Sequence, residues 1–250
     1  MAGHSKWKQI KRQKAVVDAK RGALFTKLGR DITMAARAGG ADPSGNASLR
    51  LALLKAKDNN MPADIVERAI AKAVGDTDAS QLNEIVYEGY GPGGTAVMIE
   101  AVTDNRNRTV ADIRNVFTRG GGNLGESGSV AWQFNTRGVI SLDLTTGDDG
   151  EEVALVAIDA GAEDFSVDED SVSIYTKPED LMAVRQSLVD AGHEPSAADI
   201  ERVPAVTVTL AEKEALQTLR LLDRLEDLDD VQRVYSNADF PDAVLASYSE

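Results

Sequence analysis

The sequence predicts an α+β protein of several domains, in which an N-terminal helical bundle precedes two domains of the split βαβ type. Three observations support this prediction. Apolar residues recur at helical spacing as far as Gly75, and short β-rich runs alternate with helices after Gln81. A chain of 250 residues with 5% aromatic side chains is also long for a single core. The third domain is expected to be inserted into a discontinuous second domain.

The bundle is predicted from three helical patterns. In residues 17–37 apolar side chains recur at steps of four, four and three, and Gly39-Gly40 ends the pattern. A second pattern covers residues 47–57, and a third begins at Pro62 and ends at Gly75. Residues 1–14 are basic and polar with few apolar groups, so we expect them to become ordered only on a partner.

Strands and helices alternate in the remainder of the chain. Strand-like runs at 84–88 and 95–103 precede a helix at 109–118 and a further run at 129–135. Residues 138–203 then repeat strand, helix, strand twice, which is the order of a complete split βαβ (ferredoxin-like) domain. A strand at 205–210, a helix at 211–225 and a strand at 231–236 are expected to complete the earlier half-unit at 95–135.

These patterns divide the chain into four parts. We expect a basic helical nucleic-acid-binding domain at 1–77, a discontinuous α/β domain at 78–135 plus 204–238, an inserted α/β domain at 136–203 and an acidic tail at 239–250.

Charge is distributed unevenly between the bundle and the rest of the chain. Residues 1–75 contain 15 Lys and Arg against 6 Asp and Glu, whereas the other 175 residues contain 12 against 35. The net charges are therefore +9 and −23, which together give the −14 of the whole chain. Basic groups gathered at one end of an acidic protein predict a surface for a polyanion such as nucleic acid.

The residues expected to contact nucleic acid lie mostly before residue 38. They are Lys6, Trp7, Lys8, Lys11, Arg12, Lys14, Lys20, Arg21, Lys27, Arg30 and Arg37, with secondary contacts from Arg106, Arg108, Arg114 and Arg119. If about six to eight of these cations met phosphates, the affinity would fall by roughly three decades or more between ~50 and ~200 mM salt. Trp7 and Phe25 could stack on bases, although Phe25 fits the bundle core equally well.

The second and third helices, with the turn at residues 59–61, also allow a helix-turn-helix interpretation. The start of the third helix would then enter the major groove. Asp64 and Glu67 lie at that start and would meet a polyanion. Contact led by phosphates therefore fits better than sequence reading by this helix.

The sequence offers little support for catalysis. Two matches to G-x-G-x-x-G begin at Gly89 and Gly120, but the first lies between two strands and the second follows a helix, so both predict tight turns. The glycine-rich loop beyond Arg119 leaves open an approach of backbone amides to phosphate. Residues 125–129 resemble a nucleophile elbow except at Ser129, where glycine is required, and His4 and His193 are the only imidazoles.

The composition also argues against metal centres and membrane segments. No cysteine is present, which excludes disulfides, thiolate nucleophiles and cysteine-ligated zinc. The acidic residues between 143 and 152 lack the spacing of a calcium loop, so no metal or cofactor is expected. No run approaches the ~20 apolar residues of a membrane span, and we expect a soluble intracellular protein.

Several longer motifs resemble the YebC/PmpR family of transcriptional regulators. They are MAGHSKW at 1–7, RG at 21–22, FTKL at 25–28, AAR at 35–37, NNMP at 59–62, YEGYGPGG at 87–94, TDNRNRT at 103–109 and GGNLGESGSV at 121–130. The resemblance is dense as far as Phe134 and thinner, with a consistent layout, to the end of the chain. Together these motifs are far more specific than any single pattern above.

The resemblance implies a cytoplasmic three-domain protein without an enzymatic reaction, which regulates transcription by binding DNA. Mitochondrial relatives activate translation, and bacterial members are linked to ribosomes stalled on proline-rich sequences. A ribosome-associated translation factor that binds rRNA or tRNA is therefore the alternative. A third hypothesis is a small-molecule sensor, because split βαβ domains often bind ligands between them.

Overall fold

The protein is a mixed α/β assembly of helices and antiparallel sheets. The structure is a computed structural model that describes residues 18–75, 82–145 and 149–249. The basic segment at 1–14 lies outside these described residues. The bundle consists of α1 (Asp18–Gly39), α2 (Ala47–Asp58) and α3 (Ala63–Val74), close to the bounds that the apolar periodicity predicts.

A closed apolar core holds the three helices together. Its buried side chains include Leu28, Ile32, Leu49, Ala52, Ala56, Met61 and Ala69. Asn46 begins α2, since its Oδ1 accepts a hydrogen bond from the Leu49 amide at 3.0 Å. The Thr33 hydroxyl donates to the Ala69 carbonyl oxygen at 2.9 Å and thereby ties α1 to α3.

The remaining elements follow the bundle in a regular order. They are β1 (Asn83–Tyr90), β2 (Ala96–Thr103), α4 (Arg106–Arg119), β3 (Asn123–Leu124), β4 (Phe134–Asp143), α5 (Gly150–Asp159), β5 (Asp164–Val167), β6 (Ser171–Thr176), α6 (Leu181–Asp190), β7 (Ala197–Pro204), β8 (Val208–Thr209), α7 (Glu212–Glu226), β9 (Val231–Ser236), β10 (Ala238–Asp239) and α8 (Asp242–Ser249).

The first four-stranded sheet has the order β3-β1-β2-β9, and all its neighbours are antiparallel. β1 and β2 form a hairpin whose closing pair is Tyr90 and Ala96. Helices α4 and α7 contribute Ile113, Phe117, Leu219 and Leu222 to the core of this sheet. Because β9 comes from residues 231–236, the sheet combines two distant parts of the chain.

The second four-stranded sheet has the order β5-β6-β4-β7, again antiparallel throughout. All its strands lie between residues 134 and 204, and therefore between β3 and β9 in the chain. Helices α5 and α6 cover one face, where Ala154, Ala157 and Val184 pack against Ile140 and Ile174. Leu51 of α2 is part of the same cluster, which brings the bundle into contact with this sheet.

Two strand assignments from the sequence were wrong. The run at 129–135 is a short 3-10 helix at Ala131–Gln133 followed by the start of β4, and the strand after α4 is β3. The run at 205–210 contains only β8, which pairs in parallel with β10 outside the four-stranded sheet. β1 takes the expected position beside β2 instead, and the short turn of this hairpin costs less loop-closure entropy than a connection from residues 205–210 would.

The segment expected to be an acidic tail forms packed structure. Residues 238–249 contain β10 and α8, and the side chains of Phe240, Val244 and Leu245 are buried in the core of the first sheet. Their spacing places them on one side of the chain end, so the apolar contacts outweigh the low helix propensity of the segment. The domain boundaries themselves stay a prediction.

Candidate nucleic-acid interface

The cations predicted to contact nucleic acid fall into three groups. Lys6, Trp7, Lys8, Lys11, Arg12 and Lys14 lie outside the described residues, and so does the side chain of Lys20. Arg21 is exposed near the start of α1. Lys27, Arg30 and Arg37 lie further along α1 and contact other parts of the chain.

Lys27 and Arg30 hold α1 against the end of α7. The Lys27 ammonium donates to the Glu226 carbonyl oxygen. The Arg30 guanidinium donates to the Asp229 carbonyl oxygen and lies 3.4 Å from the Asp230 carboxylate. Arg37 donates to the Leu82 carbonyl oxygen at 2.8 Å, next to the start of β1. These three cations therefore connect the bundle to the first sheet.

Asp230 is the centre of this contact. Its Oδ2 accepts hydrogen bonds from Arg108 at 2.8 Å, Thr109 at 2.8 Å and Thr103 at 3.1 Å. Burial alone would raise the pKa of Asp230, but the hydrogen bonds from Arg108 and Thr109 outweigh it and hold the pKa below its ordinary value. Asp230 thus stays ionised between α1 and α4.

A second ionic cluster joins the bundle to both sheets. The Arg233 guanidinium in β9 lies 2.7 Å from Asp31 of α1, 3.7 Å from Glu100 of β2 and 3.4 Å from Asp199 of β7. Lys55 of α2 forms an ion pair with Asp199 as well. Burial would raise the pKa of Asp199, but the charges of Arg233 and Lys55 lower it overall. One arginine therefore connects three parts of the fold.

A cleft of about 910 Å³ separates the bundle from the first sheet. Four cationic side chains and five aspartates line it, among them Arg30, Arg108 and Asp230. The mixed charge makes the cleft a poor channel for a phosphate backbone, since the aspartates repel it. Phe25 both packs against the bundle core and lines this cleft.

The secondary cations on α4 differ in their surroundings. Arg106 lies 3.4 Å from the Asn83 side-chain oxygen, and Arg108 also forms an ion pair with Asp104 at 3.0 Å. Arg114 and Arg119 are exposed, and neither forms an ion pair with a residue that the structure describes. The structure therefore does not gather the four arginines around one point.

The start of α3 carries the expected negative charge. Asp64 is exposed and forms an ion pair with Arg68 at 2.7 Å, one helical turn later. Glu67 is exposed on the same helix. Approach of this helix end to a nucleic-acid groove would bring two carboxylates toward phosphates.

The glycine-rich loop after α4 uses its amides internally. The Glu88 carboxylate accepts hydrogen bonds from the amides of Gly128, Val130 and Ala131, each at 2.7 Å. Burial would raise the pKa of Glu88, but these three bonds outweigh it and lower the pKa. An external phosphate would have to displace this buried carboxylate, so the loop is not a ready anion site. Both glycine runs instead form turns, with Gly93 at φ 67° and Gly121 at φ 79°.

One exposed side chain could not be found from residue types alone. Trp132 follows this loop and is 76% exposed. Its position depends on the contacts of Glu88 with the loop, which join residues about forty positions apart. Composition and spacing carry no signal for such exposure.

Two negative findings concern the described residues alone. Across 18–75, 82–145 and 149–249, no three His, Asp or Glu side chains are grouped as metal ligands would be. No helix in this part of the chain combines the length and the apolar character that a bilayer crossing requires.

Comparison with known proteins supplies the family. A family model described as the N-terminal domain of TACO1/YebC proteins matches residues 5–76, and one described as their second and third domains matches residues 82–238. Proteins named probable transcriptional regulatory protein are similar over nearly the whole chain. One from Dehalococcoides mccartyi is 53% identical, covering 99% of this chain and 98% of its own, and one from Thermomicrobium roseum is 54% identical, covering 96% and 97%.

A solved structure agrees with these matches. The crystal structure of a conserved hypothetical protein from Aquifex aeolicus superposes with a TM-score of 0.84 at 45% identity, covering 91% of this chain and 94% of that one. The fold and the sequence therefore lead to the same relatives. From these matches we conclude that the chain belongs to the TACO1/YebC family, whose curated members here are named as regulatory proteins.

Proposed function

We propose that this protein is a non-enzymatic regulator of gene expression that binds nucleic acid through its amino-terminal cations. Its relatives are named probable transcriptional regulatory proteins, which favours transcription as the process, and we propose DNA as the target. The observation that carries the proposal is the segregation of charge, since residues 1–75 hold a net +9 and the rest of the chain −23. The net negative charge of the remainder disfavours phosphate contacts there, so we expect most of them at the basic end of the chain.

The contacts within the fold narrow the set of cations that meet phosphate. Lys27, Arg30 and Arg37 already bond to the chain around α7 and β1. Residues 1–17 contain five Lys and Arg and no Asp or Glu. We therefore assign the phosphate contacts chiefly to Lys6, Lys8, Lys11, Arg12 and Lys14, together with Lys20 and Arg21, which follow this segment in the chain. Arg114 and Arg119, which are exposed on α4, are the secondary cations.

Phosphate-led binding has a direct consequence for specificity. Phosphate contacts position a protein on nucleic acid but carry no sequence information of their own. The exposed Asp64 at the start of α3 opposes groove reading by that helix. Preference for a given site would then come from the shape of the nucleic acid or from other parts of the chain.

Footprinting and competition test the DNA assignment. The full chain is bound to labelled duplexes that contain upstream regions of its own genome, and unlabelled random duplex is added in excess. A reproducible footprint that survives the competitor supports a transcriptional regulator. Equal displacement by every duplex sequence would contradict operator-specific binding.

Because the acidic start of α3 weighs against reading of a DNA groove, we also propose a second candidate, a ribosome-associated translation factor whose basic segment recognises shaped RNA. Sedimentation of cell lysate through gradients at low and high salt tests it. Co-migration with ribosomal subunits that high salt abolishes would support this candidate. Absence from ribosomal fractions at low salt would reject it.

A further inference from the structure

Trp132 stands out among the large apolar side chains that the structure describes. It is 76% exposed, more than any other large hydrophobic residue in those ranges. Exposed apolar side chains are common, but an indole buries 150–250 Å² when it is covered. An open indole on an ordered loop therefore offers considerable binding energy to a planar ligand.

The loop around Trp132 is fixed from both sides. The Trp132 Nε1 donates to the Ser129 carbonyl oxygen at 3.1 Å, and the Tyr90 hydroxyl donates to the same oxygen at 2.9 Å. Glu88 binds three amides of the preceding residues. On the other side, the side-chain Nδ2 of Asn237 donates to the Gln133 side-chain oxygen at 3.0 Å. Little conformational entropy is left to lose when a ligand binds here.

The internal hydrogen bond also determines which chemistry the ring can offer. The only polar atom of the indole is occupied by Ser129, so a ligand gains no hydrogen bond from it. The faces of the indole ring therefore remain available for contact with a ligand. A ligand that exploits them is flat and stacks, as nucleobases do on aromatic side chains.

The surroundings of Trp132 fit a single flat ligand better than a protein surface. Ser127 and Asn135 are exposed polar residues close to Trp132 in the sequence. Val206 is the other exposed apolar residue close by, because the Ala205 amide donates to the Gln133 carbonyl oxygen at 2.8 Å. Two such side chains fall far short of the roughly 800 Å² per partner of a stable protein interface.

We propose that Trp132 is a base-stacking residue, which holds one unpaired nucleobase of a bound nucleic acid. This inference rests on the proposed function, since it requires that the chain binds nucleic acid. The amino-terminal cations contact the phosphate backbone, and Trp132 supplies a second contact that needs a base free of its pair. The protein would then prefer single-stranded or looped nucleic acid over a fully paired duplex.

Fluorescence of the full chain tests the proposal. The sequence contains two tryptophans, so Trp7→Phe leaves Trp132 as the single indole. This variant is titrated with a single-stranded oligonucleotide and with an abasic oligonucleotide of equal length and charge. We expect emission from Trp132 to be quenched by the first, with the same midpoint as binding measured by anisotropy, and to be unchanged by the second.

Affinity provides the second readout. In the wild-type background, Trp132→Ala is expected to weaken single-strand binding by about 10- to 100-fold, and Trp132→Phe to retain most of it. The salt dependence of binding should stay the same for both variants, because no phosphate contact is removed. Circular dichroism checks that the fold is intact, and the Phe variant keeps the test valid if the Ala variant unfolds.

The outcomes separate this proposal from the function on which it rests. If oligonucleotides bind while Trp132 emission and the affinity of Trp132→Ala do not change, stacking is wrong and nucleic-acid binding stands. If the abasic strand quenches as strongly as the normal strand, stacking is wrong as well. If the wild-type chain binds no oligonucleotide at low salt, both proposals fall.

Discussion

Replacing Glu88 by glutamine should destabilise the loop that carries Trp132, although the two side chains have nearly the same shape. The Glu88 residue is only 4% exposed, and its carboxylate accepts three amide hydrogen bonds at 2.7 Å. Hydrogen bonds to a charged group contribute about 1.5–3 kcal/mol each, against about 0.5–1.5 kcal/mol for neutral ones. Glutamine also turns one acceptor into a donor, so at least one amide loses its partner. We expect Glu88→Gln to lower the free energy of unfolding by about 3 kcal/mol.

Urea unfolding of Glu88→Gln and of the wild type, followed by circular dichroism, measures this loss. Glu84→Gln is the matched control, because Glu84 lies in the same strand and is exposed. The folded pKa of Glu88 is lowered from its ordinary value of 4.5, so its stabilising effect is complete above that value and is lost as the pH falls through the folded pKa. The gap between wild type and Glu88→Gln should therefore shrink on acidification. A loss below about 0.5 kcal/mol at neutral pH would refute the assigned role of the carboxylate.

Two further variants test how the parts of the fold are joined. Arg233→Met removes the cation that Asp31 and Asp199 share and should lower the free energy of unfolding in urea by about 1.5–3 kcal/mol. Arg224→Met, on the exposed side of α7, should have little effect, and equal stabilities of the two variants would contradict the role of Arg233 in joining the parts of the fold. Leu245→Ala in α8 should lower the free energy of unfolding by about 2–4 kcal/mol, because this side chain is only 1% exposed. Leu155→Ala, at a 61% exposed position, is the control. If Leu245→Ala lowered the stability no more than Leu155→Ala, residues 239–250 would be an acidic tail after all.

Local patterns predicted most of the secondary structure. The helix at Asp18–Gly39 follows the apolar period and ends at its glycines, and β2 (Ala96–Thr103) lies within the expected run at 95–103. The pairing of strands that are distant in the chain could not be predicted in the same way, because the alternation of apolar residues shows which face of a strand is buried but not which other strand pairs with it. This is why the role of β1 was missed and the run at 205–210 was placed in the wrong sheet.

In the candidate site, too, local composition was informative, whereas contacts between distant residues could not be predicted. Charge counts identified the basic end of the chain but did not show which cations face inward. Arg30 bonds to Asp229 and Asp230, about two hundred residues away, and no local pattern contains that pairing. By contrast, Phe240, Val244 and Leu245 are apolar residues that the sequence itself displays, and the acidic composition of residues 239–250 led to the expectation of a tail in spite of them.

The salt dependence of duplex binding tests the central claim most directly. Each phosphate contact contributes about −0.9 to the slope of log K against log salt, so seven amino-terminal contacts predict a slope of about −6. Changing Lys6, Lys8, Lys11, Arg12 and Lys14 together to glutamine should reduce it to about −2, while Arg30→Gln should leave it near −6. An unchanged slope in the fivefold variant, or a clear fall in Arg30→Gln, would contradict the assignment of phosphate binding to the start of the chain.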